Sequence, residues 1–167
     1  VYKPFLSITQ NGKPLNKSKY KINLKARIIS TKKSGLVIDG GMLSGFTFIT
    51  GSYCTFITGS HCTFKTGNGC VFITEDYCTF TTGSRCIFTT DTDCIFKTAG
   101  NCIFKTGDNC TFMTDSGCTF ITNNSCTFLC KEQCVVIRKD IYEIIEIPVG
   151  KKINLNGYKE KGYVFVR

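Results

Sequence analysis

The chain has 167 residues, 42% of them hydrophobic, with 21 Lys or Arg against 12 Asp or Glu, one His and no Trp. That length suits one elongated domain with end pieces and excludes two ordinary domains beside it. No apolar run reaches the roughly eighteen residues of a membrane-spanning helix, so no membrane span is expected. A net charge of +9 raises nucleic acid as a partner, but its distribution points elsewhere.

Residues 1–45 read as a basic N-terminal cap. Val1-Tyr2-Lys3-Pro4 lacks the pattern of a secretory leader. Through Lys33 the segment holds nine Lys or Arg and no acid. Asn11-Gly12 is a turn signal, and the alternation from Tyr20 to Ile28 predicts one strand with a wet face. Leu36-Val37-Ile38-Asp39 resembles an imperfect first repeat, with Ile38 in the register of the Cys column described next.

From Phe46 to Gln133 one eight-residue unit is written eleven times: Cys-x-Phe-x-Thr and a three-residue turn. Position one reads Cys54, Cys62, Cys70, Cys78, Cys86, Cys94, Cys102, Cys110, Cys118 and Cys126, with Phe46 in the first place and Cys134 continuing the column. Position three is Phe48, Phe56, Phe64, Phe72, Phe80, Phe88, Phe96, Phe104, Phe112, Phe120 and Phe128. Position five is Thr from Thr50 to Thr122 and then Cys130. A fixed period marks a repeat architecture, because one unit cannot bury its own apolar face and must stack on neighbours.

Alternate residues of a strand share a face, so positions one, three and five point inward together. A helix is a poor fit: eight is not a multiple of 3.6, and Thr, Phe and Ile favour strands. The fold class expected is therefore all-β, a parallel β-solenoid with two short strands per sixteen-residue coil, capped at both ends by small β segments. Phe then meets Phe at the centre and Cys faces Thr, in a block roughly 26 Å long. A three-sided coil is the alternative, although one Phe per unit underfills it. Gly, Asn, Asp and Ser gather in the turns, where positive φ or local hydrogen bonding is wanted.

Twelve Cys suggest disulfides or zinc only until their spacing is considered. A thiol every eight residues forms a column, without the close pairs that converge on one metal, and stacked strands hold β-carbons wider than a relaxed disulfide. Packed free thiols, assembled in a reducing compartment, are expected. Cys130 and Cys134 stand apart: position five lies across the turn from the next position one, so a disulfide and an unbridged close pair are both open. His61 and the acids Glu75, Asp76, Asp91, Asp93, Asp108 and Asp115 read as turn residues, and no catalytic, metal or cofactor site is assigned. Residues 46–130 carry four basic and six acidic residues, so the positive excess sits in the caps; a solvated cap edge is preferred to a nucleic-acid site. Positions two and four are unusually apolar for a wet surface, which predicts that another chain covers at least one sheet.

Residues 134–167 read as a C-terminal β cap, with strands at Val135-Val136-Ile137-Arg138, Ile141 to Ile147 ended by Pro148, Lys152-Ile153-Asn154-Leu155 and Gly162 to Val166.

The Cys-Thr-Phe-x-Thr-Gly units, together with the ending from Cys134 to Glu146 and Lys152 to Tyr158, resemble octapeptide-repeat proteins encoded by large phages and other viruses. The resemblance implies a β-solenoid, virus association and localisation in the virion, and brings no site residues with it. The function expected is that of a non-catalytic structural protein, a rigid rod in a viral appendage, fibre or surface decoration. It would associate as a homo-oligomer or filament through its apolar outer sheet or its ends, or with other virion proteins. An ice-binding solenoid and a host-surface or glycan-binding module are the alternatives.

Overall fold

A computed structural model describes residues 6–167, so Val1-Tyr2-Lys3-Pro4 and the first cation, Lys3, lie outside the described residues. Two ten-stranded sheets pack face to face, and successive repeat units alternate between them. The solenoid is two-sided. Its parallel ladder runs from Leu36–Asp39 to Val135–Arg138 in one sheet, sheet A, and from Ile28–Ser30 to Thr127–Cys130 in the other, sheet B. Residues sixteen apart pair in register, as Phe80 with Phe96 and Phe88 with Phe104. No helix of the described residues is long and apolar enough to cross a membrane.

The core is a double column of rings. Within a sheet each Phe lies flat on the next, with Phe80 and Phe96 centroids 4.8 Å apart and 3° from parallel. Between sheets they meet edge to face, Phe88 against Phe96 at 5.1 Å and 76°. Both geometries match the ring quadrupole and add about 0.5–1.5 kcal/mol per pair beyond burial. The Phe column from Phe48 to Phe128 is fully buried, and the Cys column from Cys54 to Cys126 is buried beside it.

Ile38 pairs with Phe56 and Ile29 with Phe48. Ile38 therefore continues the Phe column, not the Cys column, whose place is taken by buried Leu36. The reason is a longer loop after Asp39, where Gly40 to Gly45 adds residues before the next strand and shifts the count.

The alternation from Tyr20 to Ile28 is not one strand. It is a hairpin, Lys21–Asn23 against Ile28–Ser30, broken where the Asn23 side chain accepts from the Ala26 N–H at 2.9 Å and Arg27 takes a φ of 53°. Asn11-Gly12 does form its turn, both residues at positive φ, joining Ser7–Gln10 to Lys13–Pro14. The chain then crosses the open end, with Leu15 and Tyr20 packed on the core.

The turns differ from expectation in one respect. Positive φ falls on the third turn residue whatever its type, including Tyr53, His61, Tyr77 and Arg85. Where the first turn residue is Gly, as at Gly51, Gly59, Gly67, Gly83 and Gly107, the reason is room: a Cβ on Gly51 would lie 2.8 Å from the Lys33 carbonyl oxygen of the layer below. The left-handed conformation costs roughly 1–2 kcal/mol at a non-glycine residue. A ladder bond offsets part of that cost, as when Tyr53 N–H donates to the Asn68 carbonyl at 2.8 Å.

Candidate functional site

Two further interior columns, of Cys and of Thr, flank the rings. All twelve Cys are buried and free. From Cys62 to Cys118 each Sγ of the column faces carbonyls of the turn beside it and of a neighbouring layer: Cys94 Sγ donates to Thr92 O at 3.4 Å and Glu75 O at 3.6 Å. Backbone N–H groups also donate along the column, Cys54 N to Cys70 Sγ at 3.4 Å. Thr58 and its equivalents close the opposite end of the strand, their hydroxyls donating to the following carbonyl. Cys94, hydrogen-bonded to Cys110 and desolvated, has its thiol pushed up to about 12; Cys54 and Cys62 are raised for the same two reasons. Cys86 and Cys134 are lowered instead, each by hydrogen bonds with two neighbouring thiols, so it is burial, every thiol of the column being at most 2% exposed, that makes these columns packing material. Cys130 and Cys134 are brought together beneath Thr114, whose Oγ1 lies 3.4 Å from Cys130 Sγ and 3.9 Å from Cys134 Sγ; both are free thiols here.

His61 occupies an outer turn, its ring stacked on Tyr77 at 5.0 Å, with Nδ1 3.0 Å from Ser60 Oγ. Among the described residues no group of three or more His, Cys, Asp or Glu is placed to hold a metal ion. The turn residues build side-chain rungs instead, as when Asn68 N–H donates to Ser52 Oγ at 3.0 Å and Ser84 N–H to Asn68 Oδ1 at 2.9 Å.

The distinctive surface lies on the outside of the sheets. Because alternate units go to opposite sheets, positions two and four divide into two unlike faces. Sheet A shows Thr55, Val71, Ile87, Ile103, Thr119 and Val135 in one rank, and Ile57, Ile73, Thr89, Lys105, Ile121 and Ile137 in the other. Sheet B shows Thr47, Thr63, Thr79, Ile95, Thr111 and Thr127 in one rank, and Ile49, Lys65, Thr81, Lys97, Met113 and Leu129 in the other. Sheet A thus carries eight β-branched aliphatic side chains, three Thr and one Lys at these positions; Ile73 and Ile103 are 47% and 48% exposed. Sheet B carries six Thr, two Lys and four aliphatic side chains, Ile49, Ile95, Met113 and Leu129, which are also exposed.

A further site escaped sequence reasoning. Arg138 stands at position five, paired with Thr122, and is completely buried. Its Nε and Nη2 reach Asp140 at 3.1 and 2.6 Å, and its Nη1 lies 3.7 Å from Glu143. Nη1 and Nη2 also donate to the carbonyls of Glu160 at 2.5 Å and Gly157 at 3.1 Å. Burial opposes ionisation of Asp140, but the guanidinium beside it prevails and holds the carboxyl below the usual range. The signal available was an arginine in an inward column followed two residues later by an acid. Its remaining partners lie some twenty residues downstream and leave no local trace.

These features define a two-sided parallel β-solenoid with packed thiol and phenyl columns, two unlike outer faces and separately built ends. Compared with protein families, curated proteins and solved structures, the chain matches none.

Proposed function

We propose that this protein is a non-catalytic structural element, a stiff rod that associates laterally with copies of itself through the outer face of sheet A. The carrying observation is the division of outward residues, which gives sheet A eight aliphatic side chains at the twelve outward positions named above against four on sheet B. Over the seven parallel strands of sheet A, at about 4.8 Å each, this face is roughly 30 Å long. Exposed apolar area of this kind is stabilised by a cover. A second copy supplies one of identical spacing, giving a self-complementary, closed contact. The octapeptide resemblance supports a role for such a rod in a viral appendage, fibre or surface decoration.

Sedimentation equilibrium tests this. The wild type should be a dimer or larger, and the double variant Ile73→Lys/Ile103→Lys should be a monomer with unchanged circular dichroism. A wild type that stays monomeric across the concentration range overturns the reading. A second reading, ordering of water or ice, draws support from the hydroxyl row Thr47, Thr63, Thr79, Thr111 and Thr127 on sheet B. Lys65 and Lys97 interrupt the neighbouring row, and absence of thermal hysteresis removes this reading.

A further inference from the structure

The N-terminal end of the rod combines two properties that folding alone does not require. Among the described residues, Lys13, Lys17, Lys19, Lys21, Lys25, Arg27, Lys32 and Lys33 precede the first acid, Asp39, and none of these eight cations takes part in an ion pair within the chain. They belong to the terminal strands Lys13–Pro14 and Lys21–Asn23, which close the two sheets, and to the segments beside them. So much unpaired charge of one sign selects an anionic partner.

The second property is apolar. Leu24 is 74% exposed and Ile22 41%, side by side at the tip of the hairpin. Leu24 is not a loose loop residue. Its turn is held by the Asn23 cap on Ala26 and by Arg27, whose carbonyl accepts from the Thr47 N–H of the next layer at 2.8 Å. The turn thus presents a fixed aliphatic side chain between Lys21 and Lys25. At the base of the same hairpin, where Lys21 pairs with Ser30, runs a groove of about 490 Å³ with Lys19, Lys21, Lys32 and Lys33 along it and Tyr20 and Ile49 among its lining. Its walls are tied by Thr31 Oγ1 donating to Lys19 O at 2.7 Å.

We infer that this end of the solenoid seats on an anionic lipid surface, with Leu24 and Ile22 entering the acyl boundary and the surrounding lysines meeting the head groups. A polyanion without an apolar layer, such as a nucleic acid, would use the cations and leave Leu24 in water. A bilayer carrying acidic lipid uses both. The inference does not rest on lateral self-association, because the tip lies at the end of the rod and the outer face of sheet A along its side.

Cosedimentation of the full chain with phosphatidylcholine vesicles, with and without phosphatidylserine, tests it. The wild type should pellet with the acidic vesicles alone, and added salt should release it. Leu24→Ser keeps every charge, and its exposed position should leave the melting temperature unchanged; its partitioning should fall about tenfold, the loss expected for one aliphatic side chain. Lys19→Glu/Lys21→Glu should abolish binding. Overturning results are absence of vesicle binding, or Leu24→Ser binding as tightly as wild type, which would assign the end to polyanions in general.

Discussion

The two ends of this solenoid meet the same hazard by opposite means. A stack of parallel strands leaves an unpaired edge at each end of each sheet, a template for unwanted pairing. At the N-terminal end the last strands, Lys13–Pro14 and Lys21–Asn23, are short and exposed at every residue, and charge and proline discourage a neighbour. At the C-terminal end the strand Glu143–Glu146 covers sheet A, and Lys152–Leu155 with Tyr163–Phe165 covers sheet B. Ile145, Ile147, Ile153 and Leu155 are buried there, and Arg138 ties the cap together from inside. One end displays its charge, while the other packs a cap on the last layer although its outermost strands leave Ile144, Val164 and Phe165 exposed. The described cations of the first end have no ion pair within the chain, whereas at the second a single buried cation is structural.

The contrast can be broken most severely at Arg138. Arg138→Ala should cost about 3–5 kcal/mol, because it strands a buried carboxylate and frees two carbonyls; chemical denaturation reads the loss. Alkylation should locate it. In the native protein the buried thiols resist labelling, and in Arg138→Ala Cys134 and Cys126 should react well before Cys54. Uniform labelling of all twelve thiols would show that Arg138 does not act on the C-terminal cap in particular.

A smaller effect is expected from acid. Asp140 has a folded pKa below its ordinary value, so its contribution is complete above the unfolded carboxylate pKa of about 4 and is lost as pH falls through the folded value. The wild type should lose stability below about pH 4 more steeply than Asp140→Asn, which is already weakened at neutral pH. Parallel acid profiles for the two would contradict the pairing. Ile22→Ala at the other end should change stability by no more than about 0.5 kcal/mol, since its side chain is already in water; a large loss there would remove the distinction between the ends.

Much of the architecture could be read from the residues because strand geometry has a period of two. Cys, Phe and Thr at odd positions of an eight-residue unit can share only one face, and a single Phe per unit fills a two-sided core. The outward residues were harder to read: taken as columns through every unit they look uniformly apolar, and only alternation between sheets separates Ile73 and Ile121 from Lys65 and Lys97. The Tyr20 to Ile28 run misled because an Asn side chain can close a turn inside a pattern that alternates perfectly well. Ile38 misled because an inserted loop changes register without changing composition. Arg138 was missed because Asp140 alone is a weak signal and the carbonyls of Gly157 and Glu160 that complete its site are distant in sequence.

The structural repeat is sixteen residues, two units on two unlike sheets, although the sequence repeats every eight. Comparing the melting temperature of two deletion variants tests it most directly. Removing residues 86–101 takes out one whole coil and should leave a cooperatively folded, slightly less stable rod. Removing residues 86–93 leaves the N-terminal cap in place but sends every later strand, with the C-terminal cap, to the opposite sheet, sets Lys97 beside Ile73 and mismatches the turn rungs, and should lower the melting temperature well below that of the sixteen-residue deletion. Equal melting of the two variants would contradict the two-sided coil.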